Sequence, residues 1–170
     1  MKITKVTPIL CASRWMLVKV ETDAGITGWG ECGAWAWQTA TAEAVNILGS
    51  LLIDQDPFRI ERLWNSMTRT PHFRGIILQA AVSGIDIALW DIKGKALGVP
   101  VYELLGGKTR DKVRVYASVM HLTEDNQKLA EQYQQLQEMG FTAAKIFCNG
   151  PTSSTDGKGE FYSSRIEREV

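Results

Sequence analysis

The stretch from Ser83 to Gly107, SGIDIALWDIKGKALGVPVYELLGG, constrains the fold more than any other part of this 170-residue chain. Around it, apolar residues recur at helical spacing, which predicts a helix with one buried face. These residues are Ala81, Ile85, Ala88, Leu89, Ile92 and Ala96. Gly84 leaves room on that face for a neighbouring element to come close. Gly98 suits a left-handed C-terminal cap, and Pro100 prevents the helix from continuing.

Charged residues occupy the back of the same predicted helix. Asp91 and Lys95 form an i,i+4 pair of the favourable orientation on the polar side. A direct catalytic role for Asp86, Asp91 or Lys93 is the alternative, but charged residues opposite an apolar stripe are usually solvated. We therefore interpret them as the solvated side of a core helix.

The charge balance and the cysteines exclude several classes of function. Lys and Arg number 19, and so do Asp and Glu, so the chain lacks the basic excess that a nucleic-acid or acidic-lipid partner requires. No apolar run approaches the roughly 20 residues of a membrane span. Cys11, Cys32 and Cys148 lie far apart without a CxxC motif, which argues against zinc. Reduced thiols predict a cytoplasmic protein.

The beginning of the chain predicts an antiparallel meander followed by helices. Alternating apolar residues predict strands over 2–10, 15–22 and 26–31. Thr39 or Thr41 is expected to begin a helix, whose apolar face comprises Ala44, Val45, Leu48, Leu51 and Leu52. Asp56 as N-cap and Pro57 at the first helical position predict the next helix. Its apolar face comprises Ile60, Leu63, Trp64 and Met67.

The pattern changes near residue 110. Val113–Ser118 predicts a strand, Thr123 caps a helix lined by Leu129, Tyr133 and Leu136, and Phe141–Phe147 predicts a second strand after Gly140. Strand, helix and strand at this spacing form a parallel βαβ unit. We therefore predict an α+β domain over 1–110 and the first two βα units of a (β/α) barrel over 111–170. Such a barrel has eight strands and typically ~250 residues, and residues 166–170 carry no helix stop, so we expect a truncated chain.

The order of these segments resembles a known family. The strand ending in Thr27–Glu31, the 83–107 block and the strand Val113–Ser118 are similar to the N-terminal capping domain and first barrel strands of the mandelate racemase and muconate lactonizing enzyme group of the enolase superfamily. Within that group, Arg14–Met16 and Phe73–Gly75 resemble the sugar-acid dehydratases of the galactonate dehydratase type.

The resemblance implies a chemistry. Such enzymes remove the proton next to a carboxylate and stabilise the enediolate on Mg²⁺. A dehydratase then expels the β-hydroxyl with a general acid. The family's three acidic metal ligands come from barrel strands three to five, so we expect no metal site in this chain and Mg²⁺ only in the intact protein. The implied partner is a small sugar acid, and the intact protein is expected to be a homo-oligomer.

The resemblance also implies site residues. The family often carries Lys-x-Lys at the end of the second barrel strand, where the second lysine is the base. Lys145 matches the first lysine, whereas Phe147 takes the second position and cannot accept a proton. This favours members that use a His–Asp pair on later strands. Lys145 is then either a group near the substrate, as its strand-end position suggests, or an ordinary surface lysine.

Two loops of the capping domain supply specificity in this family. Arg14, in the loop 11–15, would pair with a substrate carboxylate or with hydroxyls, or else be a solvated loop residue. Trp35 and Trp37, in the loop 32–38, would form an aromatic rim with Trp15 that covers the site and excludes water. The alternative, which we favour from the sequence, is that these rings pack in the core of the capping domain.

Two other functions remain open at this stage. A racemase or cycloisomerase of the same group is one, although Phe147 argues against those that use a lysine on strand two. A non-catalytic binding or assembly module is the other, and the unfinished barrel argues against it. By either enzyme hypothesis, these 170 residues alone are expected to be inactive.

Overall fold

The computed structural model describes residues 1–11, 15–69, 75–118 and 126–145. The chain divides into two units, Met1–Thr109 and Arg110–Val170. Within the described ranges, no helix has the length and apolar character that crossing a bilayer would need.

The first unit contains a three-stranded antiparallel sheet in the order β1-β2-β3. Its strands are β1 (Ile3–Leu10), β2 (Met16–Thr22) and β3 (Thr27–Glu31). Because side chains alternate along a strand, Met16, Val18 and Val20 of the central strand all face the core and are fully buried. The predicted meander is confirmed, with strand ends within one residue of the expected positions.

Helix α1 (Gln38–Ser50) begins earlier than expected. Trp37 occupies the N-cap position and makes no side-chain capping bond, so the prediction that Thr39 or Thr41 begins the helix is wrong. Thr41 is instead buried in the first turn, where its hydroxyl donates to the Trp37 carbonyl at 2.9 Å. That bond back to the preceding turn satisfies the hydroxyl inside the helix.

Helix α2 (Ile60–Arg69) begins later than expected. The Asp56 carboxylate accepts from the Phe58 amide at 3.0 Å, and the Asp56 carbonyl accepts from the Arg59 amide at 3.1 Å. The Asp-Pro pair therefore caps a separate turn before the helix rather than the helix itself. Ile60, Leu63 and Met67 are buried as predicted, whereas Trp64 stays 41% exposed.

Helix α3 (Ile76–Leu97) confirms the strongest prediction from the sequence, and the short α4 (Val101–Leu104) follows it. Gly98 adopts φ 68 and ends α3 in a left-handed cap, with the Val99 amide bonded to the Gly94 carbonyl at 3.0 Å. The expected apolar residues are buried from Ala81 to Ile92. Ala96 is exposed, contrary to the prediction.

Helix α3 lies unusually close to strand β3. A Cβ atom placed on Gly28 would overlap the carbonyl oxygen of Ala88, and one placed on Gly30 would overlap the carbonyl oxygen of Gly84. The two backbones are therefore in direct contact, which only glycines on the strand allow. The core surrounds this contact: its largest fully buried members include Ile3, Met16, Leu52, Met67, Ile85, Leu89 and Ile92.

Asp91 and Lys95 continue the face of α3 that contacts β3, and they bond to the outer edge of the sheet. The Asp91 carboxylate accepts from the Trp29 amide at 2.9 Å and from the Lys95 ammonium at 2.7 Å. Lys95 also donates to the Thr27 carbonyl at 2.8 Å. The predicted ion pair is confirmed, but reading Asp91 as merely solvated is wrong, because the pair satisfies the free backbone groups of the edge strand β3.

The second unit shows a parallel pair of short strands joined through a helix. These elements are β4 (Ala117–Ser118), α5 (Asn126–Glu138) and β5 (Ala144–Lys145). The strands pair in parallel, with Ser118 beside Lys145. The expected βαβ unit is confirmed, and Gly140 with φ 91 follows its helix. Within 113–118 only the last two residues form a strand; Thr123, Phe147 and 166–170 lie outside the described residues.

Candidate functional site

Two loops of the first unit meet at one end of the sheet. The Cys11 amide donates to the Trp15 carbonyl at 3.1 Å, which closes the β1–β2 loop. The Cys32 amide donates to the Met16 carbonyl at 2.9 Å, so the loop after β3 starts beside the beginning of β2. The two segments predicted to face substrate therefore share an edge of the molecule. Arg14 lies outside the described residues.

The three candidate tryptophans of these loops face solvent. The exposed fraction is 47% for Trp15, 69% for Trp35 and 56% for Trp37. The expectation that they pack in the core is wrong, because smaller residues fill the inward positions of the same loop: Cys32 and Ala34 are each 2% exposed. Large exposed aromatic rings gathered at one end of a domain are typical of a binding surface.

The loop from Cys32 to Trp37 has a defined turn structure. The Ala34 amide donates to the Cys32 carbonyl at 2.8 Å, and the Trp37 amide donates to the Ala34 carbonyl at 3.0 Å. Ala36 adopts φ 68, a conformation that residues with a Cβ rarely occupy. The buried side chains of Cys32 and Ala34 and the two backbone hydrogen bonds therefore keep the Trp35 and Trp37 rings at the surface.

Cys32 is an anchor of this loop and not a nucleophile. Burial and, to a smaller extent, the neighbouring Glu31 carboxylate raise the pKa of its thiol to about 11, although a hydrogen bond to the Gly84 backbone lowers it in part. The thiol is therefore protonated at neutral pH, and only the thiolate attacks or binds metal. A Cβ on Gly84 would overlap the Cys32 sulfur, so the side chain sits directly on the α3 backbone.

Lys145 belongs to the second unit. It is the last residue of β5, it is exposed, and its backbone pairs with Ser118 of β4. The carboxyl end of a barrel strand is the end at which active sites form. Its role near substrate stays a prediction.

A cluster between α2 and α3 was missed by sequence reasoning. Burial raises the pKa of the Asp86 carboxyl, the nearby Glu61 carboxylate adds to the increase, and a hydrogen bond from the Trp90 side chain lowers it. The Lys93 ammonium lies 5.3 Å from the centre of the Trp90 ring, a cation–π distance. The i,i+4 spacing of Asp86 and Trp90 could have indicated their bond. Glu61 lies in α2, so its distance from Asp86 in the sequence gave no indication that the two carboxylates are close.

The described residues offer no site for a divalent ion. Among residues 1–11, 15–69, 75–118 and 126–145, no group of three or more His, Cys, Asp or Glu side chains is arranged to hold a metal. Mg²⁺ prefers several oxygen ligands in octahedral geometry. The carboxylates of Asp91, Glu21 and Asp86 instead bind a backbone amide, a lysine and an indole, respectively.

Comparison with known families decides the assignment. Residues 6–106 match the domain described as mandelate racemase / muconate lactonizing enzyme, N-terminal domain. The chain belongs to this family. The match begins within β1, ends one residue before the end of the 83–107 block, and confirms the resemblance seen in the sequence.

Curated relatives with high similarity to this chain include D-galactonate dehydratases. The chain is 50% identical to that of Variovorax paradoxus over 137 residues, covering 77% of this chain and 36% of the relative. It is 55% identical to that of Ralstonia pickettii over 120 residues, covering 70% of this chain and 31% of the relative. The chain therefore spans about a third of the length of the curated relatives that it matches.

Solved structures of the enolase superfamily share the fold. A superfamily member from Salmonella Typhimurium is 37% identical with a TM-score of 0.76, covering 85% of this chain and 42% of that one. An enolase from Pantoea ananatis with bound D-gluconate and Mg is 37% identical with a TM-score of 0.74, covering 84% and 35%. The 3,6-anhydro-D-galactonate cycloisomerase of Zobellia galactanivorans is 32% identical with a TM-score of 0.76, covering 85% and 42%.

Proposed function

We propose that this chain supplies the capping domain, over 1–110, and the start of the barrel, over 111–170, of a Mg²⁺-dependent dehydratase of sugar acids. The observation that carries the proposal is the identity of 50–55% to D-galactonate dehydratases. The division of the chain after Thr109 supports the domain boundary. D-Galactonate is the first substrate to test.

The proposal gives each candidate residue a role in binding the substrate. Trp15, Trp35 and Trp37 form an aromatic rim in this proposal, and their exposed rings stack on the C–H faces of the sugar acid and exclude water from it. Arg14 pairs with the carboxylate or hydroxyls of the substrate. Lys145 lies close to the reacting carboxylate and helps to hold its charge.

The reaction removes the proton on the carbon next to the carboxylate and the hydroxyl on the following carbon. The electron pair of the broken C–H bond forms a C=C bond as the hydroxyl leaves with a proton as water, and the enol tautomerises to a 2-keto-3-deoxy acid. Mg²⁺ would stabilise the charge that develops on the carboxylate. The described residues do not form the Mg²⁺ site, and none of them acts as a metal ligand in this proposal.

A hybrid enzyme tests the proposal. Residues 1–109 of this chain replace the corresponding segment of the V. paradoxus relative, and the hybrid is assayed with Mg²⁺ on D-galactonate and D-gluconate for a 2-keto acid product. We expect dehydration of one of them, and Trp35→Ala is expected to raise the KM. A folded, Mg²⁺-binding hybrid that dehydrates neither acid would contradict the proposal.

A cycloisomerase is the second candidate, and the similarity to the Z. galactanivorans enzyme favours it over a racemase. The two reactions differ in product mass, because cycloisomerisation loses no water. Mass spectrometry of the hybrid's product on an anhydro sugar acid therefore separates them.

Three further properties belong to this proposal. The 170-residue chain alone is inactive, because the segments that carry the family's metal ligands are not in it. The intact enzyme is a homo-oligomer, which light scattering would measure. It works in the cytoplasm, where free thiols such as those of Cys11 and Cys32 stay reduced.

A further inference from the structure

We propose that Gly84 of α3 and Cys32 are positioning residues of the aromatic loop, the segment from Cys32 to Trp37, and that their contact sets where Trp35 and Trp37 lie. The proposal rests on the proposed function in one respect: it takes the aromatic loop to contact substrate. Neither Gly84 nor Cys32 touches substrate in this proposal, so both act through the two tryptophans.

The contact is a tight fit between a sulfur atom and a helix backbone. A Cβ on Gly84 would overlap the Cys32 sulfur, and it would lie 3.3 Å from the carbonyl carbon and oxygen of Glu31. Cys32 is 2% exposed and belongs to the hydrophobic core, which fixes it from the other sides. The first residue of the aromatic loop is therefore held by α3 itself.

Backbone hydrogen bonds in the rest of the aromatic loop link the position of Cys32 to that of Trp37. The Cys32 carbonyl accepts from the Ala34 amide, and the Ala34 carbonyl accepts from the Trp37 amide, at 2.8 and 3.0 Å. Two short bonds thus connect the anchor to the N-cap of α1. Because Ala36 is held at φ 68, the segment between them has few alternative conformations. A displacement of Cys32 is expected to move both indoles.

The strand before the aromatic loop cannot absorb such a displacement. Gly28 and Gly30 already bring β3 into backbone contact with α3, and the Asp91 carboxylate holds the Trp29 amide. A methyl group added at Gly84 is therefore expected to push the aromatic loop, whose Trp35 and Trp37 rings face solvent. In this way Gly84 influences the positions of Trp35 and Trp37, although α3 itself contributes no residue to that surface.

Two substitutions and a rescue test the inference in the 170-residue chain. The readout is the set of indole N–H signals in a ¹H–¹⁵N correlation spectrum, assigned with single Trp→Phe variants. We expect Gly84→Ala to shift the Trp35 and Trp37 signals and to leave that of Trp64 in place. Adding Cys32→Ala removes the overlapping sulfur and is expected to return both signals towards their original positions.

The control is Gly75→Ala, because a Cβ there meets nothing within 4 Å. It should move neither signal. Unchanged Trp35 and Trp37 signals in folded Gly84→Ala would overturn the inference, and so would a double variant that is not restored. If Gly84→Ala does not fold, the double variant decides: native signals support the inference, and displaced or absent ones refute it.

The hybrid enzyme separates this inference from the proposed function. Gly84→Ala is expected to raise the KM for the sugar acid several-fold with a much smaller change in kcat, and Cys32→Ala in the same chain should lower the KM again. If the indole signals move while the KM stays constant, the positioning inference stands and the role of the aromatic loop in substrate binding fails.

Discussion

Replacing Asp91 tests whether the side chains of α3 that face β3 protect the sheet edge. The Asp91 carboxylate accepts hydrogen bonds from the Trp29 amide and the Lys95 ammonium. A hydrogen bond to a charged group contributes about 1.5–3 kcal/mol, and an exposed i,i+4 ion pair about 0.3–0.5 kcal/mol. Since the Asp91 side chain is 28% exposed, water replaces part of these bonds, and we expect Asp91→Ala to lower the free energy of unfolding by about 2 kcal/mol.

Urea unfolding followed by circular dichroism gives this free energy, and hydrogen exchange of the Trp29 amide reports the edge directly. Asp91→Asn keeps an acceptor for Trp29 but loses the charge, so about half of the loss is expected. Ser83→Ala, at an exposed position of the same helix, is the control and should stay within about 0.5 kcal/mol of the original chain. If Asp91→Ala matches that control and leaves the Trp29 amide protected, the reasoning about the edge is refuted.

Three other predictions concern burial. Ile85→Ala should cost about 3–4 kcal/mol of unfolding free energy, as expected for a fully buried isoleucine, whereas Ile87→Ala, at a position 46% exposed, should cost under about 1 kcal/mol. Because the pKa of Asp86 is raised in the folded chain, the folded state binds the proton more tightly, and stability should fall as pH rises from the unfolded pKa through the raised folded value. Asp86→Asn should abolish that fall, and unfolding curves at pH 4 and pH 7 would reveal it. A thiol reagent at pH 8 should label Cys11 well before Cys32, whose pKa is about 11; equal labelling rates, read by mass spectrometry, would contradict the burial of Cys32.

Much of the first unit follows from local signals in the sequence. The alternation of apolar and polar residues predicted which side chains of β2 face the core, because a central strand turns one face to the core along its whole length. Gly98 and Pro100 predicted the end of α3, because a left-handed cap and a missing amide are properties of single residues. Helix starts were less predictable. Asp56 and Thr41 each satisfy a local hydrogen bond that looks, in sequence, like an N-cap.

The candidate site could be predicted only in part, because exposure depends on residues that are distant in sequence. The sequence favoured core packing for the rings of Trp15, Trp35 and Trp37, as is usual for large aromatic side chains. The core is instead filled mainly by aliphatic residues of β2, α1, α2 and α3. The available signal for exposed rings was the pair of small residues shortly before Trp35, Cys32 and Ala34, which the structure buries. The inward positions of Cys32 and Ala34 can be assigned only when the end of β3 at Glu31 is known.

The specificity of the 83–107 block as a family signature has a physical explanation in this structure. Along α3, Gly84 and Ala88 allow the strand to approach, while Asp91 and Lys95 bond to its edge. These residues recur at i, i+4, i+7 and i+11 and therefore share one face of the helix, so few substitutions satisfy both requirements. A sequence block can therefore be diagnostic of an enzyme family without supplying any reacting group, because it fixes the strand from which the aromatic loop begins.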